Sequence, residues 1–532
     1  MRLPSTLGLV AFAALVASPT WADGLGPVED GVPSANLKGS TSSLSLIAPD
    51  FRTELVAKGS DLLENPNGLI TKYGQLSDGT QTEPDENTYV VLPANPGGPT
   101  ADYDYGRHFL FQGHENGTPK AYITRINLDV PRGDTHRITL LTPGDANGVT
   151  GFGSIDGSTY NPFTNTLLFT QEAGGSNGGA IQVSVNWPPQ VKKLDAFLGR
   201  GGYEGIHADN RGNIYIAEDV GGPSSSTTTP VNLNKARQPN SFIYRYVPNN
   251  PSRIEDGGQL QALQVIIDGT PIIFGGTTAA ARDADISSNA QLKLHTPGTK
   301  YPIKWVTIHT ALKDDTNGFD ANPAAKQAGA TPFKRPENLA WLPGSDFGTF
   351  FFDATGDTDS VAGDNSFLQA RGSYGAIFRV DLRKEGDGDV HGPAPVNDGR
   401  ISLFVLGDHD HNSFDNLAFI NEHQLLAAED RGDALHTQLN TLDSVWAFNV
   451  KNGNALRFIA LGREASSITH GEDNEPTGVF VSNGGIQKDA LLGTKDSLDG
   501  ARGFFTQQHG DNNTYEISRG PRRESSLPVV VQ

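Results

Sequence analysis

The 532-residue chain contains no cysteine. This absence excludes disulfide scaffolds, zinc–cysteine clusters, iron–sulfur centres and cysteine nucleophiles, all of which require cysteine sulfur. Glycine and proline together number 95 (62 plus 33), about 18 % of the chain, which is below the range of low-complexity sequences. A chain of this length is therefore expected to bury a sizeable core without covalent cross-links.

Positive charge is also scarce, with 41 lysines and arginines against 61 aspartates and glutamates, a formal net charge of −20. Nucleic-acid binding relies on lysine and arginine contacts to phosphate, so this balance argues against a nucleic-acid partner. The surplus of carboxylates fits either simple solubility or the binding of cations.

Long hydrophobic runs are missing except over residues 7–17. That run follows the positive charge of Arg2, is too short to span a bilayer, and leads to Thr20-Trp21-Ala22, a plausible small-residue cleavage site. Residues 1–22 are therefore predicted to be a signal peptide, with a retained anchor helix as the alternative. The mature chain is expected to be secreted or periplasmic, where calcium is abundant, and free of the membrane.

Helical periodicity is scarce in the rest of the chain, where short β-branched and aromatic runs are bounded by glycine, asparagine, aspartate and proline. In six places such a strand ends in a polar, glycine-rich loop, and a second strand follows. The predicted strand pairs are 108–111 with 121–128, 166–170 with 180–185, 213–217 with 241–247, 349–352 with 376–382, 424–428 with 444–450, and 503–506 with 515–518.

This repeat predicts an all-β protein with a β-propeller fold of six blades and long inserted loops, because a blade of four strands needs roughly 40–50 residues. The terminal segments are expected to close the ring. Two consecutive β-sandwich domains are the alternative, although no linker divides the chain. We expect residues 23–532 to form a single domain, in which residues 249–334 are an insertion or hide extra strands.

A second pattern accompanies the repeat: an acid followed by a small or amide residue precedes the acidic loop by 14–16 residues. A hairpin of this length returns to its starting level, and the innermost strands of a propeller line its channel. About eight carboxylates would then meet at one end of the channel and require a counter-cation. Calcium is the predicted cation, because it takes oxygen ligands; solvated turn-forming acids are the alternative. The paired acids are Asp156 with Glu172, Glu204 with Glu218, Glu337 with Asp353, and Asp415 with Glu429.

Three single residues stand close to this pattern. Arg335 lies two residues before Glu337, and an arginine beside bound cations can clamp a phosphate or carboxylate, with a surface ion pair as the alternative. His114 and His509 lie in loops of the repeat and either face the channel or are ordinary loop histidines.

Nine motifs follow one another in a fixed order along residues 50–515. They are Gly113-His114-Glu115, Phe169-Thr170-Gln171-Glu172, 199–205, 242–246, Arg335-Pro336-Glu337-Asn338, 375–381, 414–419, Pro476-Thr477-Gly478 and 505–509. In this order they resemble the PhoX-type alkaline phosphatase family. The resemblance implies a secreted six-bladed propeller whose channel holds several calcium ions, with iron beside them, and hydrolyses phosphate monoesters.

Carried over by motif, the resemblance implies that Arg335 holds the phosphate. Together with the repeat, it indicates a set of metal ligands drawn from several blades. These candidates are Glu172, Glu204, Glu218, Asp219, Glu337, Asp415, Asn416, Glu429 and Asp430, with His114, Glu115, Gln171 and His509 as further possibilities.

The chain departs from the family pattern at three places. The family has a cysteine ligand for iron where this chain has residues 170–173, Thr-Gln-Glu-Ala. Gly113 replaces an asparagine of the family, and Tyr203 replaces the histidine that usually precedes Glu204. Calcium is therefore expected and iron is not, unless Gln171 or His114 substitutes for the missing sulfur.

Three functions follow as hypotheses. The first is a calcium-dependent phosphoesterase that acts on small-molecule phosphate monoesters, with Arg335 clamping a phosphoryl oxygen. The second is a non-catalytic calcium-binding propeller that binds a ligand or partner. The third is a lactonase or phytase-like propeller hydrolase that uses the same metal ring. The fold alone does not choose among them.

Overall fold

The computed structural model describes residues 24–33, 44–357, 365–382, 397–520 and 529–531. Within these ranges strands and loops predominate, and the predicted all-β fold is confirmed. The predicted signal peptide, residues 1–22, lies outside the described residues. In the described ranges, no helix has the length and apolar character needed to cross a membrane.

Most strands belong to six four-stranded antiparallel units, which we call blades 1 to 6. Before the first complete blade come β1 (Leu46–Ile47), β2 (Phe51–Ala57), β3 (Leu62–Asn67) and β4 (Ile70–Lys72). Blade 1 contains β5 (Glu83–Val91), β6 (His108–Glu115), β7 (Tyr122–Asn127) and β8 (Ile138–Leu140). Blade 2 contains β9 (Ile155–Asn161), β10 (Thr166–Gln171), β11 (Gly179–Ser184) and β12 (Val191–Lys193). Blade 3 contains β13 (Tyr203–Ala208), β14 (Ile214–Glu218), β15 (Ile243–Pro248) and β16 (Gly258–Ile267).

The second half of the ring follows two additional strands, β17 (Thr270–Pro271) and β18 (Lys300–Thr310). Blade 4 contains β19 (Leu339–Trp341), β20 (Thr349–Ala354), β21 (Ala376–Leu382) and β22 (Asp398–Leu406). Blade 5 contains β23 (Phe414–Asn421), β24 (Gln424–Glu429), β25 (Ser444–Asn449) and β26 (Ala455–Ala460). Blade 6 contains β27 (Pro476–Ser482), β28 (Arg502–Gln507) and β29 (Asn513–Arg519), and its fourth strand is β2. The last strand, β30 (Val529–Val530), pairs with β1.

The six innermost strands form a closed ring. Each of β5, β9, β13, β19, β23 and β27 contacts the next, and β27 contacts β5. The ring is closed within blade 6, because β2, from the start of the described chain, pairs with β29, near its end. The six-bladed propeller closed by terminal segments is therefore as predicted, and the two-sandwich alternative is wrong.

The six predicted strand pairs are the second and third strands of the six blades, with ends that differ by one or two residues in most cases and by up to four. Residues 249–334 were predicted to be either an insertion or a segment with extra strands, and they are both. They contain β16, the outer strand of blade 3, and also β18, which pairs with β16 on one side and β22 on the other. Blades 3 and 4 are thereby joined into one continuous sheet.

The short helices lie in the loops. They are α1 (Asp195–Leu198), α2 (Ala279–Ile286), α3 (Asn289–Leu294), α4 (Ala321–Gln327), α5 (Ser366–Gln369) and α6 (Gly432–Leu439).

The hydrophobic core lies between neighbouring blades rather than at the centre of the ring. Successive side chains of a strand point to opposite faces of its sheet. Phe111 of blade 1 accordingly packs with Phe169 of blade 2, whereas Leu110 packs with Phe504 of blade 6. Because both faces of a blade pack against neighbouring blades, the second strands are nearly continuous apolar runs. The side chains that line the channel are polar.

Candidate metal and phosphate site

Five of the six innermost strands share one irregularity near their starts, a β-bulge. In blades 1, 2, 3, 5 and 6, two residues of the inner strand stand opposite one residue of the second strand. A bulge redirects side chains and often occurs next to active sites. The first of the two bulged residues is an acid in four blades, and Glu337 takes the matching place two residues before β19 in blade 4. The four acids are Asp85, Asp156, Glu204 and Asp415.

The second bulged residue is small where the next blade passes close to it. A Cβ atom on Gly157 would lie 2.2 Å from the carbonyl oxygen of Glu204, and one on Gly205 would lie 2.8 Å from Asn338. The Gly205 N–H also donates to the carbonyl oxygen of Glu337, 2.7 Å away. The acid-plus-small-residue pattern of the sequence therefore reflects the contact between neighbouring inner strands.

The bulged acids line a cavity of about 340 Å³ at one end of the channel. Its wall carries twelve carboxylates but one arginine, Arg335, and three histidines, His436, His470 and His509. The carboxylates belong to Glu83, Asp85, Glu115, Asp156, Glu172, Glu204, Glu337, Asp415, Asp430, Asp443, Asp473 and Glu475.

Seven acids at this site form three overlapping triads. In each triad, one carboxylate oxygen per residue lies within 4.8 Å of the other two. Asp156 belongs to the first and second triads, and Glu204 belongs to the second and third, so the set runs continuously from blade 1 to blade 4. The triads are Asp85–Glu115–Asp156, Asp156–Glu172–Glu204 and Glu204–Asp219–Glu337.

This crowding changes the protonation of the acids. Burial, reinforced by neighbouring carboxylates, raises the pKa of Asp85 to about 6 and that of Glu172 to about 8. The same two causes raise the pKa of Asp156 and Glu204 well above the ordinary carboxyl range. Buried like charges at this spacing need either protons or cations between them.

Arg335 lies at the third triad, in the left-handed backbone region with φ 56°. Its guanidinium donates to both carboxylate oxygens of Asp219 at 2.7–3.1 Å, and its Nη2 lies 3.4 Å from Oε1 of Glu337. Burial opposes its charge, but Asp219 and Glu337 outweigh burial and raise the pKa of the guanidinium well above its ordinary value. A fifth of the side chain is exposed to the cavity, so the permanent positive charge faces the carboxylates and any ligand among them.

Most of the predicted site residues are brought together by the fold. The residues of the predicted set that line the cavity are Glu115, Glu172, Glu204, Arg335, Glu337, Asp415, Asp430 and His509. Asp219 joins them through the third triad.

Glu218 and Glu429, by contrast, were expected to face the channel and do not line the cavity. Oε2 of Glu218 accepts hydrogen bonds from the Tyr244 hydroxyl at 2.8 Å, the Asn322 amide at 3.0 Å and the Phe242 N–H at 3.2 Å. The physical reason is strand alternation: the side chain of Asp219, one residue later, takes the opposite direction.

Glu429 occupies the same structural position in blade 5. It accepts from Arg431 Nη2 at 2.7 Å, from the Ser444 N–H at 3.0 Å and from the Asn412 N–H at 3.1 Å. Both the glutamate and Arg431 are fully buried. Glu429 therefore ties strands of its own blade together, and Asp430 is the neighbour that faces the cavity.

Three further predicted ligands also lie outside the cavity wall. Asn416 supports Asp415 by donating to its Oδ2 at 3.0 Å. Gln171 accepts from the Gly153 N–H at 3.3 Å. His114 stacks on Tyr122 at 4.4 Å, and burial lowers its pKa to about 3, so it is a neutral packed side chain.

Several cavity residues carry no repeat signal in the sequence. Asp85 has the same structural position as Asp156 but precedes its partner Glu115 by 30 residues, because the long 92–107 connection separates β5 from β6. Two adjacent acids, Asp85 and Glu86, near the start of β5 could have indicated a site residue in blade 1. His436, Asp443, Asp473 and Glu475 lie outside the blade strands, so strand spacing does not mark them.

The fold and this channel define a six-bladed propeller with a carboxylate-rich site at the end of its channel. A family model, described as alkaline phosphatase PhoX, matches residues 191–486. This match covers more than half of the chain, and the chain belongs to the PhoX alkaline phosphatase family. Family membership supports a phosphatase-like function.

Among solved structures, Pseudomonas fluorescens PhoX in complex with vanadate, a transition state analogue, is similar at a TM-score of 0.55 and 12 % identity. The alignment covers 92 % of this chain and 97 % of that one. It supports the fold. The PQQ-bound aldose sugar dehydrogenase from Streptomyces coelicolor aligns at a TM-score of only 0.28 and 11 % identity, over 89 % of this chain and 99 % of that one. No curated protein sequence matches the chain.

Proposed function

We propose that the protein is a secreted, calcium-dependent phosphoesterase that hydrolyses small-molecule phosphate monoesters. The observation that carries the proposal is the run of three carboxylate triads that share Asp156 and Glu204 and end beside Arg335. Membership of the PhoX family supports the same chemistry. The shortage of positive charge fits a site that receives its positive charge from bound cations.

Calcium fits the donor atoms of the three triads. All of them are carboxylate oxygens, the ligands that calcium prefers. In each triad, three such oxygens lie within 4.8 Å of one another, close enough to bind one ion. A sulfur-ligated iron does not fit, because the chain has no cysteine. The residues proposed to hold calcium are Asp85, Glu115, Asp156, Glu172, Glu204, Asp219 and Glu337, with Asp415 and Asp430 facing the same cavity.

Arg335 is proposed to bind the phosphoryl group. Its planar guanidinium presents parallel N–H donors that suit two oxygens of a phosphate. In the free protein these donors are directed at Asp219, so a bound phosphate would share or replace that contact. Glu337, which accepts from the Thr355 hydroxyl as well as lying beside Arg335, keeps the guanidinium at the cavity wall.

Calcium ions in the triads would polarise the phosphoryl oxygens and neutralise the charge that develops during hydrolysis. The protein itself would position the cation ligands and the phosphate. The bulged inner strands hold Asp156 and Glu204 within reach of one another, and Arg335 fixes the orientation of the phosphate relative to them.

The test is hydrolysis of p-nitrophenyl phosphate by purified protein, with and without calcium. We expect activity that is abolished by a chelator and restored by calcium, and a kcat/KM about 100-fold to 1000-fold lower in Arg335→Ala, because a charge-assisted phosphate contact is removed. Arg335→Lys should restore only part of it, since lysine lacks the bidentate fork.

Arg132→Ala is the matched control, because Arg132 also pairs bidentately with an aspartate, Asp61, but on the surface. Its activity should equal that of the unaltered protein. Tight calcium binding without hydrolysis of any phosphate monoester would contradict the proposal and favour a non-catalytic calcium-binding propeller.

Export is part of the proposal. Residues 1–22 should be removed during secretion, so mass spectrometry of the mature protein should find Asp23 at its N-terminus. Recovery of an intact Met1 terminus from the exported protein would contradict this step.

A further inference from the structure

A different kind of cluster lies on the more exposed side of the cavity. Glu83 begins β5 of blade 1, His470 ends a short 3-10 turn between blades 5 and 6, and His509 lies in the loop between β28 and β29. One ligand atom from each of the three lies within 4.8 Å of the other two. Unlike the three triads, this cluster offers two imidazole nitrogens and one carboxylate.

The distances within the cluster are too long for hydrogen bonds. Nε2 of His470 lies 3.7 Å from Oε1 of Glu83, and Nε2 of His509 lies 3.9 Å from the same oxygen. A fourth group, Oε2 of Glu475, lies 3.7 Å from Nε2 of His509. Hydrogen bonds of this type span about 2.7–3.2 Å, whereas ligands of one tetrahedral ion with bonds of about 2.1 Å lie about 3.4 Å apart.

The two histidine rings are stacked, with centroids 3.7 Å apart and planes 10° from parallel. The Nε2 lone pair of each ring lies in the plane of that ring, and the two nearly parallel planes do not meet near the rings, so one ring must turn to bind a common ion. His470 is the one placed to turn, because about a third of its side chain is exposed and it lies in a short turn. His509 is less exposed, and its backbone N–H donates to Oδ1 of Asn474 at 3.0 Å, which fixes the loop that carries it.

The donor atoms of this cluster favour a transition metal over calcium. Imidazole nitrogen suits zinc and similar transition metals, while calcium takes oxygen ligands.

We propose that Glu83, His470 and His509, with Glu475 as the fourth ligand, form a separate site for a zinc-class divalent ion at the mouth of the cavity. Such an ion would link blade 1 to blade 6 and to the turn before it. The proposal is independent of the phosphoesterase function, because none of the four residues belongs to the three calcium-type triads.

The test is a titration of the purified full-length protein with zinc in buffer that contains saturating calcium, followed by calorimetry. Calcium occupies the oxygen sites, so zinc binding reports the imidazole cluster. We expect one zinc site in the unaltered protein. In His470→Ala and in His509→Ala its affinity should fall by about 100-fold or more, since loss of a direct ligand exceeds the 10–100-fold cost of losing a supporting contact.

His423→Ala is the matched control, because His423 lies 3.3 Å from Glu422 on the surface and, among the residues that the structure describes, belongs to no cluster with a second imidazole. Its zinc affinity should be unchanged. If His509→Ala fails to fold, the exposed His470→Ala variant still decides the question. Equal zinc affinity in the unaltered protein and in both cluster variants would overturn the proposal.

Cobalt(II) gives a second readout that does not use catalysis. A tetrahedral site with two imidazoles should produce the strong visible absorption of four-coordinate cobalt, and His470→Ala should abolish it. Weak absorption of the octahedral type in the unaltered protein would overturn the proposal. Calcium stoichiometry and phosphate-ester hydrolysis, measured on the same variants, show whether the other site is intact.

Discussion

Two groups of buried acids in this propeller differ in what surrounds them. Glu218 and Glu429, inside blades 3 and 5, each accept three hydrogen bonds from N–H, hydroxyl, amide or guanidinium donors of the protein. Asp156 and Glu204, at the inner bulges, each have carboxylate oxygens of several other acids within 4.8 Å. In the described part of the chain, no such donor hydrogen-bonds to either of them.

The difference separates structural acids from acids that need a ligand. A buried carboxylate with several protein donors is already compensated, and its role is to join strands. A group of carboxylates that face one another without donors is compensated only by protons or by cations from solution. Neutralisation within the protein, rather than burial alone, therefore distinguishes the two groups, and the predictions below test that distinction.

The largest effect is expected from Glu204→Gln. Glu204 is shared by the second and third triads, so the neutral amide weakens two cation positions at once. We expect the calcium stoichiometry to fall and kcat/KM for p-nitrophenyl phosphate to drop at least about 1000-fold, or about 4 kcal/mol. Glu218→Gln is the control, and it should keep the full calcium stoichiometry. Equal loss of calcium in both variants would contradict the distinction between structural acids and acids that need a ligand.

The next effect is expected on stability. Glu429→Ala leaves Arg431 buried beside Asp443, 3.7 Å away, without its main partner. Removing one member of a buried ion pair costs about 3 kcal/mol, and we expect that loss in the free energy of unfolding measured with denaturant. Calcium stoichiometry should not change. Glu422→Ala, which removes a surface partner of Lys495, should cost less than about 1 kcal/mol.

The smallest effect is expected from pH in the presence of a chelator. The pKa of Asp85 is raised from 3.8 to about 6 and that of Glu172 from 4.5 to about 8, so the folded state binds more protons than the unfolded state between about pH 4 and pH 8. Stability is then fully present at about pH 4 and falls as the pH rises to 8. We expect a loss of at least about 1.4 kcal/mol, the equivalent of one pKa unit at one group, because the pKa of each of the two acids is raised by more than one unit.

Calcium should cancel this loss, because it replaces protons between the carboxylates and binds more tightly as the pH rises. Thermal unfolding in chelator and in calcium, across that pH range, measures both effects. A melting temperature that rises with pH in chelator would contradict the raised pKa values of Asp85 and Glu172.

The repeat was readable from the sequence, because each second strand combines an apolar run with an acidic loop. The direction of each acid was not. Glu218 and Asp219 are adjacent, and strand alternation sends one into the blade and the other to the cavity. Which of the two side chains faces the cavity depends on the register between β13 and β14, and that register is shifted by the bulge at Glu204. Apart from the small residue that follows Glu204, no residue pattern in the sequence marks this bulge.

Blade 1 shows a second reason why some site residues could not be predicted from the sequence. Its bulged acid, Asp85, is displaced from Glu115 by the long connection after β5, so a spacing rule does not find it. The cluster of Glu83, His470 and His509 joins residues almost 430 positions apart in the chain. Only the closure of the ring brings them together, and no local pattern encodes that closure.

The pairing of β2 with β29 also sets the order of events during biosynthesis. Residues 51–57 leave the ribosome early, but their partner is residues 513–519. Until that late segment arrives, blade 6 lacks its third strand and β2 has no partner in it. A chain that ends before residue 513 therefore cannot close the ring through blade 6.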